Sequence, residues 1–148
     1  MRFGVWGVRG KEGKDEGVGE RWEDMREQEI KGYRDLMVWQ RAMDLVVRSY
    51  EVTKGLPKSE QYGLISQIQR AAVSIPANIA EGKGRRHLGD YLRHLSIARG
   101  SLMELETHVL IAERLSYVTP QQADAVLKLT EEISRLLSSL QQALEKRR

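Results

Sequence analysis

From Tyr33 onward the apolar residues recur at alternating intervals of three and four, the spacing that collects side chains on one face of an α-helix. Leu36, Trp39, Met43, Val46, Tyr50 and Thr53 form the first such stripe, and Gly55 and Pro57 close it. A second helix is predicted from about Ser59, which would cap it, with Leu64, Ile68, Ala71, Ile75 and Ile79 as its core stripe and Gly82 just past its end. Tyr91, Leu95, Ala98, Leu102, Leu105, Val109 and Ala112 mark a third, over residues 88–116. Thr119 and Pro120 suit the N-cap and first turn of a fourth, carried by Val126, Thr130, Ile133, Leu137, Leu140 and Leu144. Strand-like alternation is absent. Four helices of roughly 20 to 28 residues, each ~30 to 40 Å long and joined by short turns, predict an all-α, antiparallel, up-down-up-down four-helix bundle.

The second helix carries more than a core stripe. At 100° per residue, Gln67, Arg70, Ser74, Asn78 and Glu81 fall within about 80° of one another and make a polar ribbon, read as a hydrogen-bonded network that fixes helix register. Ile65, Gln69, Val73, Pro76 and Ala80 occupy the side facing away from that ribbon, where an ordinary surface helix would show charge. A helix apolar nearly all round needs burial on two sides, which predicts a homo-oligomer with this face in the subunit contact; the alternative is a short exposed patch on a monomer. Pro76 has no amide hydrogen and presses on the carbonyl of Ala72, so a kink is expected there, with Ser74 or Asn78 available to the released carbonyl.

Charge changes the picture only once it is located. The formal net charge is +3, but residues 1–32 hold seven Lys/Arg against eight Asp/Glu, leaving the excess to the remainder. Between Lys83 and Arg99 five basic residues face Asp90 alone. Lys83, Arg85, Arg86 and Arg93 gather around the start of the third helix, where the positive dipole end disfavours cations unless an anion arrives, so this junction reads as a phosphate site. Arg34, Arg41 and Arg48 recur every seven residues and would line one face of the first helix, although Asp44 and Glu51 make a solvated, salt-bridged face a competing reading. With aromatics at 6%, base stacking and sequence readout are expected to be weak. Residues 1–32 contain seven of the 13 glycines and no apolar period, and are expected to be a flexible tail preceding a bundle over residues 33–148. Trp6 and Trp22 in that tail are read as ordinary exposed aromatics.

Chemistry is thin. Without cysteine there is neither a disulfide nor a thiolate metal site, and a reducing, cytoplasmic setting is expected, with no apolar run long enough to span a bilayer and no signal-peptide core. The Gly-Lys-Gly-Arg-Arg run at residues 82–86 lacks the spacer and Gly-Lys-Ser/Thr ending of a phosphate-binding loop. His87, Asp90 and His94 are too few to argue a metal site, Glu104 and His108 form a single pair where a di-iron bundle needs two, and Ser74 and Ser101 have no activating base. Neither a metal nor a cofactor is expected. Gly100, inside the third helix, is read as a point of close helix approach.

Three segments, residues 36–45, 56–86 and 91–118, resemble the four-helix-bundle proteins first noticed in intervening sequences of bacterial large-subunit ribosomal RNA genes, and more distantly the accessory variability determinant proteins of diversity-generating retroelements. The signature falls on Gln67, Arg70, Ser74, Ile75, Asn78, Ile79, Ala80, Glu81 and Gly82, then on Ala98, Gly100, Ser101, Glu104, Leu105 and Glu106. Ser101 and Glu104 thereby join the expected polar network. Two departures stand out: Gln69 replaces a usual second basic residue, and His87, Leu88 and Gly89 replace a Ser/Thr-rich helix start followed by Lys. The resemblance implies a ring, usually of five subunits, with a basic surface for RNA or DNA. The expected protein is thus a non-enzymatic accessory of a nucleoprotein with weak sequence specificity; its rival is a scaffold that binds another protein.

Overall fold

The computed structural model describes residues 31–148. All of the predicted tail except Lys31 and Gly32, and with it Trp6 and Trp22, lies outside the described residues. A single 3-10 turn, Tyr33–Asp35, leads into four helices: α1, Met37–Thr53; α2, Leu64–Lys83; α3, Leu88–Arg114; and α4, Pro120–Glu145. Helices α1 and α3 each pack against both α2 and α4, so the four enclose one core, and no strand occurs among the described residues. None of the four is long and apolar enough to cross a membrane.

Local chemistry explains each boundary. The Asp35 carboxylate accepts from the Lys31 and Gly32 amides and tightens the turn before α1. Helix α2 starts later than the sequence suggests. Ser59 lies in a separate 3-10 turn, Lys58–Glu60, and the Glu60 carboxylate, not a serine hydroxyl, accepts from the Leu64 amide at 3.0 Å. A carboxylate also suits the positive end of the helix. Gly82, expected beyond α2, lies inside it, and Gly84 follows as the C-cap. Pro76 does not interrupt α2, which runs through it as one span. The Asn78 amide turns to the carbonyl and hydroxyl of Ser74 at 2.8 and 3.0 Å, not to the carbonyl of Ala72. At the end of α3 the Tyr117 amide reaches the Ala112 carbonyl and the Ser116 amide the Glu113 carbonyl, with Ser116 left-handed at φ 61°. That is a Schellman closure with serine where glycine is favoured. Thr119 caps α4 as expected, exchanging hydrogen bonds with Gln122 in a capping box, with Pro120 in the first turn.

Core stripes follow prediction in three helices and not in the first. Ile68, Ala71, Ile75 and Ile79 of α2, all seven predicted positions of α3, and Val126, Thr130, Ile133, Leu137 and Leu144 of α4 are buried. Burying each large aliphatic side chain contributes about 1.5–3 kcal/mol before entropy is counted. Leu36 and Thr53, the two ends of the predicted first stripe, are buried, but between them the buried line is Val38, Ala42, Leu45, Ser49 and Val52, while Met43 and Tyr50 stay roughly 40% exposed and Trp39 and Val46 are half-buried. The cause is size. Ala42 and Ser49 are small enough for α1 to sit close to its neighbours, and the larger Met43 and Tyr50 are displaced outward.

Candidate nucleic-acid interface and assembly surface

The α2–α3 seam is built around a missing side chain and a polar ladder. A Cβ on Gly82 would lie 2.9 Å from the His94 Cβ and 3.2 Å from the Tyr91 carbonyl oxygen, so only glycine permits this approach. Two turns earlier Ser74 and Ser101 share a hydrogen bond at 2.8 Å, and the Asn78 amide oxygen faces the buried His94 Nδ1 at 3.1 Å. Glu81 lies 3.8 Å from that same nitrogen and also accepts from Arg85 at 3.1 Å. Ser74, Asn78 and Glu81 of the ribbon, together with Ser101 from the resemblance, therefore form a polar network, with His94 as an additional member. Gln67 and Arg70 are exposed and outside it, and Glu104 faces His108 at 3.9 Å instead. Gly100 marks no close approach: a Cβ there would meet nothing within 4 Å.

The cations separate into two kinds. Arg41 is a structural clamp: its Nε and Nη2 each donate to Glu132 of α4 at 2.9 Å, and Nη1 reaches Asp44 at 2.6 Å. These hydrogen bonds hold the Glu132 carboxyl below its ordinary range and raise Arg41 above its own. A ridge of Arg34, Arg41 and Arg48 is accordingly not formed. Arg34 precedes α1, in the 3-10 turn and 5.8 Å from the Tyr33 ring, and Arg48 lies beside Glu51 at 3.8 Å. Lys83, Arg85, Arg86 and Arg93, by contrast, converge on the short connection between α2 and α3. The three arginines are exposed, and among the described residues Arg86 and Arg93 make no ion pair. The N-cap of α3 is His87, whose side chain forms no cap hydrogen bond, as the departure at residues 87–89 led one to expect.

The predicted assembly face divides. Pro76 is buried within the chain itself and is no free contact, and Gln69, half-buried, donates to Thr53 of α1 while lining the groove described next. Val73 is 42% exposed, and Ile65 and Ala80 are half-buried. Ile65 and Val73 line an open groove of about 740 Å³ together with Tyr50 of α1 and Tyr62, which is 91% exposed. Sequence reasoning missed Tyr62 because it lies in the turn ahead of α2, outside any stripe. It also passed over exposed apolar residues on the outer half of α3, Ile97, Met103, Leu110 and Ile111, whose steps of six, seven and one scatter them over about 140° of the helix so that they form no single stripe.

A family model described as 23S rRNA-intervening sequence protein matches residues 34–139. A solved structure titled as a protein of unknown function from the S23 ribosomal protein family of Bacteroides thetaiotaomicron VPI-5482 is 28% identical, with a TM-score of 0.66 over 70% of this chain and 97% of that one. Among curated proteins none matches. The chain belongs to the 23S rRNA-intervening sequence protein family.

Proposed function

We propose, from that family membership, that the protein is a non-enzymatic homo-oligomer of antiparallel four-helix bundles that binds RNA or DNA electrostatically, as an accessory of a nucleoprotein in a reducing cytoplasm. The observation that carries this reading is the convergence of Lys83, Arg85, Arg86 and Arg93 on one exposed connection. Arg86 and Arg93 have no carboxylate partner among the described residues, and α3 starts at the same connection without a side-chain cap, so its first-turn amides suit an anion. Self-association is supported by the α1–α2 groove and by the exposed apolar residues of α3. Because the α1–α2 groove and the outer side of α3 differ, their contact would be head-to-tail, and such contacts close into a ring when the rotation between subunits closes and extend as a filament when it does not. Five subunits are the number the family resemblance implies. A ring multiplies each modest basic patch into a strong field with steep salt dependence.

Fluorescence anisotropy with labelled RNA and DNA over a salt series tests the reading. Arg85→Glu with Arg86→Glu is expected to abolish binding while the particle mass stays the same; wild-type binding that ignores salt removes the electrostatic mechanism. The groove around Tyr62 and Val73 also favours a second reading, a scaffold for another protein, and absence of nucleic-acid binding at low salt would leave that one standing.

A further inference from the structure

The last basic residues of the described chain, Lys146, Arg147 and Arg148, have an ordinary explanation, since cations suit the negative end of a helix and α4 stops at Glu145. Their position in the fold calls for another. On α3, Arg99 donates to Ser138 and Gln141 of α4 at 2.8 and 2.9 Å, and further along the pair Thr130 donates to Glu106 at 2.6 Å. As numbers rise on α4, they fall on α3. Six residues from Arg99 toward the start of α3 is Arg93, and six beyond Gln141 is Arg147. At ~1.5 Å per residue each run is about 9 Å, so both arginines reach one level. Arg147 also lies near enough to Tyr91 to draw its hydroxyl downward against the burial that pushes it up to about 12. Gly82 brings the end of α2 to the same place through its contacts with Tyr91 and His94.

We propose that the phosphate-binding surface is this end of the bundle, where α2 stops, α3 starts and α4 stops, and that Lys146, Arg147 and Arg148 supply part of it. The inference rests on the nucleic-acid reading above. Neighbouring helices stand 8–10 Å apart, so three termini span ~20 Å, against which duplex DNA presents about one charge per 1.7 Å of axis. End-on contact leaves the α1–α2 groove and the outer side of α3 free, so nucleic acid and a second copy of the chain do not compete for one surface. Glu81, Asp90 and Glu145 offset part of this charge, but the cations at this end outnumber them, and the excess is what attracts phosphate.

The test replaces Lys146, Arg147 and Arg148 together by Gln in the full chain and measures anisotropy with a labelled DNA duplex from about 50 to 200 mM salt. Lys128→Gln, an exposed position toward the other end of α4, is the control. The triple variant is expected to bind at least ten-fold more weakly at the low-salt end, with a log K against log salt slope shallower by about two to three, and unchanged thermal stability and particle mass. The control should match the wild type. A triple variant with wild-type affinity and slope, while Arg85→Glu with Arg86→Glu loses binding, overturns this inference and leaves the nucleic-acid reading intact. A lower melting temperature with unchanged binding assigns these residues to the helix dipole and also overturns it. No binding by the wild type at low salt takes both down.

Discussion

Gly82 and Gly100 both lie inside helices, and their surroundings give them opposite roles. At Gly82 a methyl group would strike the His94 Cβ and the Tyr91 backbone, so Gly82→Ala should cost about 1–3 kcal/mol by forcing α2 and α3 apart. At Gly100 the space is open, and Gly100→Ala should stabilise by about 0.5–1 kcal/mol through helix propensity alone. Urea unfolding of the two variants checks this, and shifts of the same sign would refute the close-approach argument. Glu132 is a second residue-scale case. Its carboxyl is ordinarily near 4.5 and is lowered in the folded chain by hydrogen bonds from Arg41, so the folded state binds that proton less readily than the unfolded one. Its contribution is complete above the unfolded value and disappears as pH falls through the lower folded value. Wild type should therefore lose more stability than Glu132→Gln between about pH 5 and about pH 3, read as the difference in thermal midpoints; parallel pH profiles would mean that the clamp is energetically idle.

At the scale of the element, legibility tracked side-chain size. The α3 stripe is readable because all seven positions of one alternation from Tyr91 to Ala112 are buried, with Leu92, His94 and Ser101 added beside it. The α1 stripe is not, because Val38, Ala42, Leu45, Ser49 and Val52 compete with a parallel line of bulkier residues, and hydrophobicity favours the wrong one. A close interhelical approach is what promotes Ala42 and Ser49 to the core, and that is a property of the neighbouring helices. The same limit explains Ser59 and Glu60. Ser59 lies five residues and Glu60 four before Leu64, the first apolar position of the stripe, and only the intervening 3-10 turn selects the carboxylate. Of the polar ribbon, the members facing α3 were correctly grouped, whereas His94 entered from the opposite helix, where its own sequence neighbours give no sign of it.

On the scale of the whole molecule, the basic connection after α2 was legible because charge is a property of the chain alone, but the fate of Arg41 required the position of Glu132, 91 residues away. Of the residues proposed for assembly, Ile65 and Val73 line a groove, while Pro76 is consumed by the core and Tyr62 supplies exposed surface that periodicity omits. If this groove joins subunits, Val73→Glu places a charge in an apolar contact and should reduce particle mass by light scattering without loss of helical circular dichroism. A particle of unchanged mass would move the contact elsewhere, with the outer side of α3 the next surface to alter.

The Ser74–Ser101 pair constrains how this chain can change. The Ser74 hydroxyl also accepts from Asn78, whereas Ser101, only 8% exposed, has Ser74 as its hydrogen-bond partner, so losing Ser74 strands Ser101 away from water while losing Ser101 leaves Ser74 partnered. Two methyl groups could replace the two hydroxyls together at little cost, because Asn78 keeps the Ser74 carbonyl, and of the two orders the one that alters Ser74 first is the steeper.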